Sequence, residues 1–174
     1  MCRLARGQAG GALIEAAIVI PLGIFLFLGI GEFAQGFTVN RRIEAAAGTA
    51  ADLVTRQPSV STAELNGIRQ MLDEMIRPFP IATLRVRLTS ISIDNAGQST
   101  VAWSYANGPG LAPFTTGSTL AVPTGVAPPN SSVIFAETAY TFSSSFDILL
   151  AGGVEMRAES YFPPRIGDAV EFTD

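Results

Sequence analysis

The sequence of 174 residues contains no histidine and no lysine, and its one cysteine is Cys2. Without histidine, the chain lacks the usual general base near neutral pH and the commonest protein ligand of transition metals. A single cysteine forms neither a disulfide within the chain nor a cysteine cluster for zinc. We therefore expect no enzymatic activity, no metal site and no cofactor.

Charge is also sparse. Charged residues make up 15% of the chain, the net charge is −4, and all 11 basic residues are scattered arginines. Binding to nucleic acid usually needs a basic stripe that neutralises the phosphate backbone, so we do not expect a nucleic-acid partner. The acidic pairs Asp73–Glu74 and Glu155–Glu159 diverge on a helix or face solvent on a strand, so neither resembles a glycosidase pair.

Apolar residues are in excess: they make up 48% of the chain, the mean hydropathy is +0.35, and the excess lies before residue 37. Residues 12–31 contain a single charged side chain, that of Glu15. A helix of about 20 residues crosses the roughly 30 Å hydrocarbon core of a bilayer. Pro21 would kink this helix but is tolerated in lipid, where neighbouring groups satisfy the freed backbone. The pattern predicts one transmembrane helix.

The orientation of this helix is nearly undecided by charge alone. Residues 1–10 form a basic leader with Arg3 and Arg6, while a second arginine pair follows the span at 41–42. The positive-inside rule is therefore close to a tie. The short basic N-terminus favours a cytoplasmic leader and a periplasmic or extracellular head. A secretory signal peptide, cut near residues 29–31, is the alternative.

Glu15 needs an explanation, because an ionisable group at the centre of a bilayer costs about 2.5–3.5 kcal/mol and less near the interface. One explanation is a carboxylate that faces the headgroups and has no further role. Cleavage between Gly10 and Gly11 offers another, since it would free an ammonium on Gly11. That ammonium would lie four residues before Glu15 on the same helix face, within one chain or beside a neighbour's carboxylate.

The order of basic leader, glycine, four residues, glutamate and apolar helix resembles the N-terminus of type IV pilins. Further segments narrow this resemblance: Pro21 after Glu15, GIGEF (29–33), VAWS (101–104), AETAYTFSSSFDILLAGG (136–153) and PPR (163–165). With them, the sequence more closely resembles the TadE-like minor pseudopilins of the tight-adherence (Tad/Flp) pilus system. Ala16 departs from the aromatic residue common after the glutamate, and of the early glycines only Gly10 and Gly11 give the usual spacing.

The resemblance implies a structural, pilin-like subunit inserted once in the bacterial inner membrane and cut by a prepilin peptidase. Its partners would be the major pilin, a sibling pseudopilin, the peptidase, the inner-membrane assembly platform and membrane lipid. It would take part in assembly of a pilus used for cell adhesion, with Glu15 pairing with an amine during packing. The alternative is a membrane-anchored binding module that contacts envelope components or glycans.

We predict an α+β fold in which the N-terminal helix continues to residue 57, giving a segment 11–57 that ends before Pro58. The head, residues 58–174, begins with a capping box at Ser61 and Glu64. The helix that follows places one set of side chains on one side: Leu65, Ile68, Met71, Leu72, Met75 and Ile76. About four antiparallel strands are predicted at 83–88, 99–105, 132–142 and 154–162, with a bulge near Ser90.

Residues 106–130 carry no charge and are rich in glycine, proline, serine and threonine. This composition predicts a loop that is long for a small domain. Phe114, Leu120 and Val122 would either pack the loop against the head or offer contacts to a partner.

Overall fold

The computed structural model describes residues 9–144, 146, 148–150 and 152–174, without the side chains of residues 9 and 10. The predicted leader lies outside this range except for its last two residues. The elements in chain order are α1 (Ala9–Thr55), β1 (Ser59–Val60), α2 (Thr62–Ile76), β2 (Arg85–Ile93), β3 (Ser99–Asn107), β4 (Ser131–Phe142), β5 (Val154–Phe162) and β6 (Glu171–Phe172).

Helix α1 runs through 47 residues and includes Pro21. At 1.5 Å per residue its length is about 70 Å. Its N-terminal half is exposed, whereas from Val39 onward one side is fully buried in the head. Small side chains let this half approach the sheet closely, and the buried alanines are Ala46, Ala47, Ala50 and Ala51. The predicted long helix that continues into the head is therefore confirmed.

The main sheet has four antiparallel strands in the order β3-β2-β4-β5. The register between β2 and β3 shifts between Ser90 and Ile91, which confirms the predicted bulge. Asp94 closes the β2–β3 turn, because its Oδ1 atom accepts hydrogen bonds from the backbone N–H groups of Ala96 and Gln98. The α+β class and the four-stranded sheet agree with the prediction.

The two helices cover one face of this sheet, and α1 lies across β4 and β5. The hydroxyl of Thr138 on β4 donates a 2.9 Å hydrogen bond to the carbonyl of Ile43 on α1. The main core lies between these layers and includes Leu65, Leu72, Leu88, Ile134 and Tyr140. A second, smaller core lies on the opposite face under the long loop.

Helix α2 begins at the predicted capping box. The Ser61 hydroxyl accepts from the N–H of Glu64, whose carboxylate accepts from the N–H of Ser61. The residues buried on this helix are Leu65, Ile68, Leu72 and Ile76. Met71 was predicted on the same side but is 37% exposed, because the buried stripe follows a spacing of three and four residues that leaves position 71 at its margin.

Strands β1 and β6 form a parallel pair that the sequence analysis missed. They bring the C-terminal segment back beside the end of α1. The indole Nε1 of Trp103 donates a 2.7 Å hydrogen bond to the carbonyl of Val170 just before β6. A strand of two residues is too short to show an alternating pattern, so the sequence does not predict it.

Candidate functional site

The N-terminal half of α1, residues 11–31, is a largely exposed apolar helix, which we call the apolar rod. Leu13 is 71% exposed, Phe27 is 76% exposed and Ile30 is 70% exposed. Among the described residues, α1 is the one helix long and apolar enough to cross a membrane. A soluble protein rarely exposes so large a contiguous apolar surface. The helix is consistent with a single-pass membrane anchor.

The residues predicted to act in processing and assembly lie at the start of this rod. Gly11 and Glu15 are both exposed on α1, one helical turn apart. No ion pair joins Glu15 to any residue that the structure describes. Pro21 lies inside the helix. Cleavage after Gly10, the pairing of Glu15 and a kink at Pro21 remain predictions.

Glu32, the first residue after the predicted span, is fully buried although it is charged. Its Oε1 atom accepts hydrogen bonds from the hydroxyl of Ser144 at 2.7 Å and from the N–H of Ile148 at 2.9 Å. Its Oε2 atom accepts from the N–H groups of Leu149 at 2.8 Å and Leu150 at 3.3 Å. We call this arrangement the Glu32 clamp. It holds Ser144 and residues 148–150, the clamped segment between β4 and β5, against α1 and satisfies backbone groups that no strand pairs.

Two glycines make room for the clamped segment. A Cβ atom on Gly29 would lie 2.5 Å from Cδ1 of Leu149, and one on Gly36 would lie 3.7 Å from Cδ1 of Leu150. Gly29, Glu32 and Gly36 are separated by three and four residues, so they lie on one face of α1. The face therefore combines two small residues for close packing with one carboxylate for the amide groups.

An apolar groove of 470 Å³ lies beside the clamp, between α1 and β5. Its lining residues include Phe33, Phe37, Leu150, Val154 and Met156. Strand β5 is an edge strand of the described sheet. The groove thus lies at the end of the head that is nearest to the apolar rod.

A second buried carboxylate, Glu137, lies on the other face of the sheet and is 1% exposed. It forms an ion pair with the guanidinium of Arg87, and Nη1 of Arg157 lies 3.1 Å from its Oε1 atom. Arg87 also donates to the carbonyl of Ala112 at 3.1 Å, and its guanidinium lies 3.7 Å from the centroid of the Phe114 ring. This network ties the long loop to the sheet.

The loop residues named from the sequence pack against the sheet. Phe114, Leu120 and Val122 are half-buried over the second core, which contains Ile91 and Phe135. Backbone hydrogen bonds also join the loop to the edge of β3. The N–H groups of Val101, Gly117 and Leu120 donate to the carbonyls of Ser118, Val101 and Ser99, respectively. Packing therefore accounts for these side chains, and a contact with a partner remains a prediction.

The closing PPR segment anchors the distal end of α1. The N–H of Arg165 donates to the carbonyl of Thr55 at 2.8 Å, and its guanidinium pairs with Asp52. The hydrogen bond from Arg56 lowers the pKa of Asp52 below its ordinary value; burial opposes this shift, and the charge of Arg165 adds to it. Asp52 lies in the head, well beyond the apolar rod.

The sequence analysis included Glu32 in the GIGEF segment (29–33) that carries the resemblance, but assigned it no role. The signal that could have identified it is the pattern Gly29-x-x-Glu32-x-x-x-Gly36, which places small residues on both sides of a carboxylate on one helix face. The hydrogen-bond donors to Glu32 could not be identified from the sequence, because Ser144 lies 112 residues after it.

Comparison with known proteins gave one match. The family model described as TadE-like protein matches residues 10–52, which is about a quarter of the chain and lies within α1. The matched residues include Glu15, Pro21 and Glu32. The resemblance inferred from the sequence is confirmed over this helix. No curated protein and no solved structure matched the chain.

Proposed function

We propose that this chain, whose residues 10–52 match TadE-like proteins, is a structural minor pilin-like subunit that takes part in assembling a Tad pilus. One observation carries the proposal. A single uninterrupted helix is a bare apolar rod over its first half and part of the core of a folded head over its second half. A subunit that packs laterally through its helix while displaying a head needs this division.

The proposed assembly step begins with cleavage by a prepilin peptidase after Gly10. The cut frees an ammonium on Gly11, one helical turn from Glu15. When helices leave lipid and pack against one another, a carboxylate in the dry interface is strongly destabilising without a partner. The ammonium of a neighbouring subunit supplies that partner and also sets the axial offset between helices.

The partners that follow from this role are the major pilin, a sibling pseudopilin and the inner-membrane assembly platform. The chain would be inserted with the basic leader in the cytoplasm and the head outside it. The absence of enzymatic activity belongs to the same proposal, since the subunit acts by packing.

Mass spectrometry of the mature N-terminus, on protein purified from its native membrane, tests the processing step. A chain that starts at Gly11 supports the proposal. An intact Met1 contradicts it and favours a membrane-anchored binding module that contacts envelope components through residues 106–130. A start near Glu32 also contradicts it and indicates a cleaved secretory signal.

The pairing step is tested separately with Glu15→Ala. Membrane insertion should be unchanged, because removing a charge from the span does not hinder insertion. Pilus output should fall. Glu44→Ala is the matched control, because Glu44 is an exposed glutamate on the same helix but within the head. Equal piliation in the Glu15→Ala variant and the parent would remove the pairing role.

A further inference from the structure

We propose that an apolar collar, formed by Phe33, Phe37, Phe146 and Leu149, lies in the headgroup layer of the bilayer and seats the head on the lipid surface. The inference rests on the proposed role of α1 as a membrane anchor and goes beyond it. It assigns a lipid-contacting surface to the folded head, with part of that surface more than 100 residues after the span in the sequence.

The helical part of the collar lies at the right height. If the span ends at residue 31, Phe33 and Phe37 lie about 3 and 9 Å above the hydrocarbon core. The headgroup layer is about 5–7 Å thick on each side. Phe33 therefore begins within this layer, whereas the Cα atom of Phe37 lies just above it. Side chains on a helix tilt toward its N-terminus, which here is toward the bilayer, so the Phe37 ring reaches down to the layer. Phe33 is 60% exposed and Phe37 is 61% exposed.

The loop part of the collar is held at the same height by contacts with α1. Leu149 packs against Gly29, which lies two residues inside the predicted span. The N–H of Phe146 donates a 3.2 Å hydrogen bond to the hydroxyl of Ser144, which itself donates to Glu32. A segment fixed to residues 29 and 32 cannot lie far from the membrane that residue 29 enters. Phe146 remains 51% exposed and Leu149 remains 44% exposed.

Lipid is the occupant that this surface fits, because the collar is continuous with the bare apolar rod below it. The chemistry of the collar also matches surfaces that lie in a membrane interface, which present phenylalanine and leucine to the lipid with arginine on their polar side. The guanidinium of Arg41 lies 4.9 Å from the centroid of the Phe37 ring. Arg41 is exposed, so its guanidinium is placed to contact lipid phosphate from its position over the ring.

Depth-dependent fluorescence quenching tests the collar on the full chain, with one copy in each lipid nanodisc. In a Cys2→Ser background, a single cysteine is introduced as Phe146→Cys, Phe33→Cys, Phe25→Cys or Ala96→Cys and labelled with an environment-sensitive dye. Phe25 lies in the middle of the rod, and Ala96 lies in the β2–β3 turn at the opposite end of the sheet. Quenchers are spin labels on the lipid headgroup or deep in the acyl chain.

The expected result is blue-shifted emission at positions 146 and 33, with headgroup quenching several-fold stronger than at position 96. Position 25 should respond to the deep quencher instead, which reports the span itself. Quenching at 25 without quenching at 146 and 33 overturns the collar while leaving the anchor intact. A blue shift without lipid quenching also overturns it, because the dye is then covered by protein. Loss of quenching at 25 removes the proposed anchor as well.

A second measurement links the loop to its clamp. Glu32→Ala should reduce headgroup quenching at position 146 several-fold, because the segment loses the acceptor for its amide groups, while quenching at position 33 is retained. Glu44→Ala serves as the control and should leave both positions unchanged. Unchanged quenching at position 146 in the Glu32→Ala variant would contradict a collar seated by Glu32.

Discussion

Leu149 occupies the space where a side chain on Gly29 would lie, with its Cδ1 atom 2.5 Å from the position of a Cβ atom on that glycine. The contact joins the last turn of the apolar rod to a segment between the last two strands of the main sheet. The absence of a side chain at position 29 therefore has a packing cause, in addition to the general tolerance of glycine in transmembrane helices.

We predict that Gly29→Val displaces the clamped segment, because the added methyl groups occupy the position of Leu149. The expected result is faster chymotrypsin cleavage after Phe146 and Leu149 in the full chain held in nanodiscs. Gly31→Val is the matched control, since nothing lies within 4 Å of a Cβ atom at that position. If both variants resist cleavage as well as the parent, the close contact does not restrain the segment.

Glu32→Gln should loosen the same segment without a change in side-chain size. The amide retains one acceptor oxygen and directs an NH2 group at backbone donors that require acceptors. We expect hydrogen exchange at the amides of residues 148–150 to accelerate by roughly tenfold or more. Glu44→Gln, on the exposed side of α1, should leave these amides unchanged. The measurement is hydrogen–deuterium exchange followed by mass spectrometry; unaltered protection in Glu32→Gln would contradict the clamp.

Glu137→Ala should destabilise the head by up to about 3–5 kcal/mol, because it leaves the largely buried guanidinium of Arg87 without a counter-charge. The side chain of Arg87 is 14% exposed, compared with 53% for that of Arg157. The free energy of unfolding is measured by denaturant titration in mild detergent. The fluorescence of Trp103 reports the transition, because this is the one tryptophan in the chain and it lies in the core.

The control for this prediction is Glu155→Ala on β5. The side chain of Glu155 is 53% exposed and pairs with Arg85 and Arg157 at 3.1 and 3.3 Å. An exposed ion pair contributes about 1 kcal/mol or less. Equal losses of stability in the two variants would show that burial does not distinguish Glu137.

The stability contributed by Asp52 should depend on pH. The pKa of Asp52 is lower in the folded chain than its ordinary value of 3.8. The stabilisation of the fold by Asp52 is therefore fully present above the pKa that this carboxyl has in the unfolded chain. It is lost as the pH falls through the pKa that the carboxyl has in the folded chain. Asp52→Asn should reduce stability at pH 7, and the difference from the parent should shrink progressively below about pH 4.

The measurement is thermal unfolding of both chains across this pH range, again by Trp103 fluorescence. Asp168→Asn is the control, because Asp168 is exposed and its side chain forms no ion pair with the described residues. A loss of stability in Asp52→Asn that is the same at pH 3 and pH 7 would contradict the contribution of the charged carboxylate.

The features readable from the sequence were those encoded by local patterns. The long helix followed from an apolar run continued by helical spacing, the second helix from a capping box, and the bulge from a phase slip near Ser90. Each of these signals involves residues that are neighbours in the chain. The order of the strands, with β2 between β3 and β4, could not be read in this way.

The residues of the candidate site also differ in whether a local sequence pattern marks them. Glu15 was noticed because a lone carboxylate stands out in an apolar run, and its role remains a prediction. Glu32 received no role from the sequence, because a charged residue directly after an apolar run is an ordinary feature of a membrane span. Its partners are backbone amides and one serine, which carry no distinctive sequence signal. The burial of Glu137 was equally hidden, because its two arginines come from different strands.

Helix α1 enters the core of the head without an intervening loop, and its carbonyl at Ile43 is bonded to the middle of β4. A force applied to the apolar end would therefore pass along a continuous helix to the central strands, because no flexible linker separates the anchor from the head. A force that extracts the anchor from the membrane would also act on the main sheet. The continuous helix would thus couple a force on the anchor directly to the main sheet.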